Sequence, residues 1–154
     1  MSESKQYLTS EKLVEFRKEL VFLKTEKRKQ VAEGLEYAKK LGDLAENSEY
    51  HEARQTQAEV EDRINHLEFL VKTAVIVSGN QTDAVTIGST VKVQKEGERD
   101  IREYKIVGSE EADMAFGKVS NLSPLGSALL GKKKGERVTF NTPKGPANYT
   151  LISV

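Results

Sequence analysis

From Glu11 to Thr73 no proline breaks the chain, and two apolar stripes run through it on either side of a short acidic stretch. Leu13, Phe16, Leu20, Leu23, Val31, Leu35 and Ala38 recur mostly at spacings of three or four, with Lys and Glu between them. That pattern is one apolar face of a long helix. Thr9 or Ser10 can cap its start near Glu11, because a hydroxyl there accepts from a first-turn N–H. Gly34 is its one weak point. The second stripe, Ala53, Gln57, Val60, Ile64, Leu67 and Val71, alternates spacings of four and three. A regular heptad seam needs a partner helix to cover it, and the first helix is the nearest one. The two stripes therefore predict an antiparallel coiled-coil hairpin. At 1.5 Å per residue, arms of about thirty residues make a rod of about 45 Å, with Gly42 to Ser48 at its far end.

Beyond Ala74 the period changes. Segments 74–77, 85–94, 101–108, 117–122, 136–140 and 148–154 are short, rich in β-branched residues and separated by Gly, Asn and Asp, which reads as strands and turns. Ser123 and Pro124 open a short apolar helix over 125–130 that Gly131 can end. The expected fold class is α+β: a helical hairpin over residues 1–77, a linker over 78–83, and a compact domain over 84–154 built on an antiparallel sheet with one helix packed on it.

Charge is balanced over the 154 residues, 24 basic against 24 acidic, so any electrostatic function must be local. There is no cysteine, which excludes disulfides, thiolate metal sites and a cysteine nucleophile. No apolar run is long enough for a membrane span or a signal core, which points to a cytoplasmic protein.

The local charge sits in 41-LGDLAENSEYHEAR-54, where Asp43, Glu46, Glu49 and Glu52 follow one another with no Lys or Arg between Lys40 and Arg54. Two readings compete. Asp43 and Glu46, three apart where the second helix is expected to begin, match a capping box. They also make a carboxylate pair that can serve Mg²⁺, which takes one or two protein carboxylates and keeps its other positions for water and phosphate. Alone they would not hold the ion tightly, but they can complete a site on a partner. The basic residues Lys24, Lys27, Arg28 and Lys29, with Lys39 and Lys40 nearer the tip, are either a solvated helix face or a guide for a phosphate backbone. The run 126-GSALLGKK-133 lacks the hydroxyl after its Lys that a phosphate loop needs. His51 and His66 have no third ligand in view.

With these residues in hand, the chain resembles the Gre family of bacterial transcript cleavage factors, closer to the GreA branch than to GreB. The tip, 42-GDLAENSEYHEAR-54, carries the family's Gly-Asp-Leu-x-Glu-Asn-x-Glu-Tyr pattern, and a second match lies at 120-SNLSPLGSALLGKKKGERV-138 with Pro143, Gly145 and Tyr149. The resemblance implies a C-terminal domain of FKBP-like fold and a partner, the RNA polymerase core, whose secondary channel takes the hairpin. It implies a role at the 3′ end of backtracked nascent RNA, with Asp43 and Glu46 supplying ligands to a Mg²⁺ ion shared with the polymerase active site. The factor would then be no enzyme itself, would act as a monomer, and would reach the bacterial nucleoid through the polymerase. Asn47, Glu49, Tyr50 and Arg54 are expected to orient the tip or touch polymerase and RNA. Lys24, Lys27, Arg28, Lys29 and Lys39 are candidate contacts, and Ser123, Pro124 and Leu125 are expected at the docking surface. Lys39 stands where the family often has Arg, and lacks its planar fork. Three rivals remain at this point: a channel-binding inhibitor that does not promote cleavage, an FKBP-type prolyl isomerase, and a chaperone-like hairpin whose tip acids only cap a helix.

Overall fold

The computed structural model describes residues 5–78 and 82–154. Its contacts group Leu13–Thr73 into one unit and the chain from Ala74 onward, together with the segment before Leu13, into another. The expected first domain, 1–77, is therefore divided differently: residues leading into and out of the helices belong with the C-terminal half. Of the expected linker 78–83, residues 79–81 lie outside the described residues.

The helical unit is a hairpin. Its first arm is α1 (Ser10–Phe22), a π-helical turn (Leu23–Lys27) and α2 (Arg28–Lys39); its second is α3 (Ser48–Thr73). Phe16, Leu23, Leu35 and Ala38 of the first arm and Val60, Ile64, Leu67 and Leu70 of the second are buried. Val71, the expected end of the second stripe, is only half-buried, and Leu70 takes its place. The π turn has a cause in the sequence. Leu23 and Val31 are eight apart, which at 3.6 residues per turn overshoots two turns by about 80°, whereas seven would fall about 20° short. A wider turn takes up the extra residue and returns Val31 to the face that carries Leu23.

Gly34 lines an open cleft of about 510 Å³ between the arms, along with Val31, Ala38 and Ala53. A Cβ built on Gly34 meets nothing within 4 Å. Gly34→Ala should therefore raise stability by about 1 kcal/mol, the helix-propensity difference, as a higher thermal midpoint.

The other unit holds a five-stranded sheet in the order β5-β4-β3-β7-β6, from β3 (Thr90–Lys95), β4 (Ile101–Val107), β5 (Lys118–Ser120), β6 (Arg137–Thr142) and β7 (Gly145–Ser153). Alternate residues face inward: Val91 and Val93, Tyr104 and Ile106, then Ala147, Tyr149 and Leu151. The helix α4 (Pro124–Leu129) adds Leu129 to that core. The sheet is mixed, not antiparallel as expected, because β5 pairs parallel with β4. Between them the chain passes through two 3-10 turns, Ser109–Glu111 and Met114–Phe116, a crossover in place of a hairpin. A second, two-stranded sheet pairs β1 (Tyr7–Thr9) with β2 (Val75–Val77) in parallel. Among the described residues no helix is long and apolar enough to cross a membrane.

Candidate functional site

The tip is a loop between two helix ends, and each end is closed by a different device. The N–H groups of Lys40 and Leu41 donate to the carbonyls of Tyr37 and Ala38 at 3.1 and 3.2 Å, winding down α2. Gly42 follows with φ of +140°, a conformation that a residue with a Cβ rarely adopts. Asp43 then turns the chain: its Oδ1 accepts the Ala45 N–H at 3.0 Å, an Asx turn.

The second helix starts later than the sequence predicts. Asp43 is not its cap. α3 begins at Ser48, and Asn47 caps it by accepting the Tyr50 N–H at Oδ1, 3.0 Å away. The capping box expected at Asp43 and Glu46 is therefore absent, and both acids lie in the loop that precedes the helix. Asn47 does a second job, since its Nδ2 donates to the Ala38 carbonyl at 2.6 Å. One side chain thus ties the end of α2 to the start of α3. His51 Nε2 lies 3.3 Å from the Ala45 carbonyl, a bond the Nε2–H tautomer donates.

Asp43 and Glu46 are both exposed. Together with Gly42, Asn47 and Glu49 they line an open depression of about 300 Å³. Among the described residues no group of three or more His, Asp or Glu is arranged to hold a metal ion. The donor set is carboxylate oxygen, which suits a hard cation such as Mg²⁺ whose remaining positions are filled by water or a partner. Glu49, in the first turn of α3, places a negative charge at the positive end of the helix dipole. Tyr50 is half-buried beside His51, ring centroids 5.8 Å apart. Arg54 Nη1 donates along the helix to Gln57 Oε1 at 3.1 Å.

Asn47→Ala removes both bonds of that side chain, and should lower stability by about 1 kcal/mol through the lost cap alone. Asn47→Asp keeps the cap but loses the donor to Ala38, so it should fall between native and Ala in urea unfolding.

The five basic candidates separate into two kinds. Lys24 pairs with Glu68, and Arg28 makes a two-pronged bond to Glu61 with both contacts at 2.8 Å. These are links between the arms. The Arg28 hydrogen bond holds the Glu61 carboxyl below its ordinary value, and Glu61 in turn raises Arg28. The pair's contribution is thus present above the usual carboxylate range and lost as pH falls through the lowered value. Lys27 lines the cleft between the arms, while Lys29 and Lys39 are exposed. The separation has no local signal, because ion pairs across a seam depend on which residues of α3 come opposite.

In the sheet unit, Ser123 caps α4: its Oγ accepts the Gly126 N–H at 3.1 Å and donates to the Ser120 carbonyl at 2.7 Å. Pro124 is exposed at the first helical position, and Leu125 packs partly against the core. Pro124 and Leu125 border a cleft of about 370 Å³ that also holds Tyr104, Phe140, Tyr149 and Met114. Three aromatic side chains, Tyr104, Phe140 and Tyr149, are thus gathered in one place. Phe116 and Leu122 are 79% and 67% exposed, and nothing local in the sequence marks Leu122 out from other turn residues.

Two sequence profiles match the chain: one described as Transcription elongation factor, N-terminal, over residues 6–76, and one described as Transcription elongation factor, GreA/GreB, C-term, over residues 80–154. The chain belongs to the GreA/GreB family of transcription elongation factors. Transcription elongation factor GreA of Clostridium botulinum (strain Hall) is 46% identical over 157 residues, covering 100% of this chain and 98% of that one. Its counterpart in Alkaliphilus oremlandii is 45% identical over 156 residues, with the same coverage. Among solved structures, the transcription factor Gfh1 matches over 97% of this chain and 96% of its own at 25% identity, with a TM-score of 0.46. GreA/GreB from Nitrosomonas europaea matches over 65% of this chain and 90% of its own, at 24% identity and a TM-score of 0.42.

Proposed function

We propose that this family member enters the secondary channel of RNA polymerase and stimulates the polymerase's own Mg²⁺-dependent hydrolysis of backtracked RNA. What carries the reading is the tip: Asp43 and Glu46 stand exposed in a loop whose backbone is fixed by Gly42, the Asp43 turn and the two bonds of Asn47. Carboxylates presented this way are pre-positioned, so little ordering is left to be done when a partner supplies the remaining ligands. Asp43 and Glu46 would hold the ion from the factor's side; when bound, Mg²⁺ supplies polarisation of the scissile phosphate and activation of a water. Asn47 keeps both acids at the end of the arms. Glu49, Tyr50 and Arg54 then face polymerase or RNA, Lys27, Lys29 and Lys39 are the basic residues left for phosphate, and Pro124 and Leu125 serve docking. The chain carries out no hydrolysis of its own and works as a monomer in the bacterial cytoplasm.

The test is cleavage of labelled RNA in a halted, backtracked elongation complex with Mg²⁺, with and without the native protein. Faster cleavage supports the proposal. Binding without acceleration sinks it in favour of a channel-binding inhibitor. The aromatic cleft favours one other reading, a prolyl-peptide site, and turnover of a proline-containing peptide in an isomerisation assay would establish it.

A further inference from the structure

Thr9 is the residue from which α1 starts: its Oγ1 accepts the Lys12 N–H at 3.2 Å, the bond of a helix N-cap. The same hydroxyl donates to Glu111 Oε1 at 2.9 Å, and the Thr9 N–H donates to Glu111 Oε2 at 3.3 Å. Both oxygens of one carboxylate therefore grip one capping residue. Glu111 is only 6% exposed and Thr9 5%, a buried charge whose partners are these two donors and, at 3.8 Å, Lys118 Nζ. Burying a carboxylate is unfavourable unless it is well bonded, so the site is committed to its contacts.

The neighbourhood repeats the theme. Ser109 Oγ donates to Gln6 Oε1 at 3.2 Å, Leu8 is fully buried, and a Cβ on Gly108 would overlap the Tyr7 carbonyl oxygen. The Val75 N–H donates to the Gln6 carbonyl at 2.8 Å, continuing the pairing of β1 with β2. The chain entering the helical hairpin and the chain leaving it are thus bound side by side, with the entering one locked by Glu111.

We infer that Glu111 is a positioning residue: within the sheet unit it holds Thr9, the N-cap of α1, and so keeps the first turn of that helix wound. This rests on the proposed cleavage role in one respect. In a factor that engages a single partner through two units, unwinding the first turn of α1 lengthens the chain between them and lowers the effective concentration of the second engagement.

Two readouts test the clamp. In the free protein, Glu111→Gln should speed amide exchange at Thr9 and Lys12 roughly tenfold or more, the loss of a hydrogen bond to a charged acceptor, while β3 and β7 amides keep native rates. Thr9→Val should do the same, and Thr9→Ser, which keeps the hydroxyl, should restore native exchange. In the cleavage assay, Glu111→Gln should raise the factor concentration for half-maximal stimulation roughly tenfold and leave the rate at saturation unchanged. Native exchange at Thr9 and Lys12 in Glu111→Gln overturns the clamp, whatever the assay shows. Faster exchange with a native half-maximal concentration overturns the positioning role. A native protein that stimulates no cleavage defeats the proposed function instead, and leaves exchange to decide the clamp.

Discussion

Replacing Asp43 with Asn and Glu46 with Gln together is expected to lower stimulated cleavage at saturating factor by on the order of 10²-fold or more, the scale set by removing one preorganised electrostatic contributor elsewhere. The substitutions are chosen so that little else changes. Asn at 43 keeps the oxygen that accepts the Ala45 N–H at 3.0 Å, so the turn survives. Neither acid caps α3, which takes its cap from Asn47. Helix stability should therefore stay native, and the variant should still compete with native protein for polymerase. What it lacks is charge and the ability to serve as an anionic ligand. If the double variant supports native cleavage, the tip acids have no part in the chemistry and the hairpin acts by occupying the channel alone.

The second large effect lies far from the tip. A Cβ on Gly126 would overlap the Ser120 carbonyl oxygen and come within 3.0 Å of Ser123 Oγ. Backbone cannot swing aside as a long side chain can, so Gly126→Ala must displace α4 or the strand end it rests on. Overpacking of this kind is expected to lower stability by about 3 kcal/mol. At about 2–4 °C per kcal/mol for a chain of this size, the thermal midpoint should fall by roughly 6–12 °C. Gly34→Ala provides the opposite sign from the same chemical change, since open space surrounds that site. A Gly126→Ala protein that melts like native would mean that α4 does not sit so close to Ser120.

What could be read from the sequence was what depends on near neighbours. The two stripes located the arms, the acidic stretch located the tip, and Ser123-Pro124 located α4 to within a residue. Misreadings came where a local signal was ambiguous. Asp43 and Asn47 are both good caps, and the choice fell to Asn47, whose amide also reaches the Ala38 carbonyl. The eight-residue step from Leu23 to Val31 stands in the sequence, and the π turn absorbs its phase error. Features fixed by distant residues left no trace: the parallel pairing of β5, the arm-to-arm pairs of Lys24 and Arg28, and the grip of Glu111 on Thr9. β1 is only three residues long, too short for an alternation to register.

That grip joins residues 102 positions apart, which sets a schedule for the newborn chain. Tyr7 to Thr9 leave the ribosome before their strand partner, and long before the carboxylate that holds them. At about 5–20 residues per second, the wait between Thr9 and Glu111 is roughly 5–20 s. The helical arms, whose contacts are nearer in sequence, have time to zip together meanwhile. The first strand made thus waits for β2, which follows directly on the second arm, and its last residue is capped in place only when Glu111 arrives.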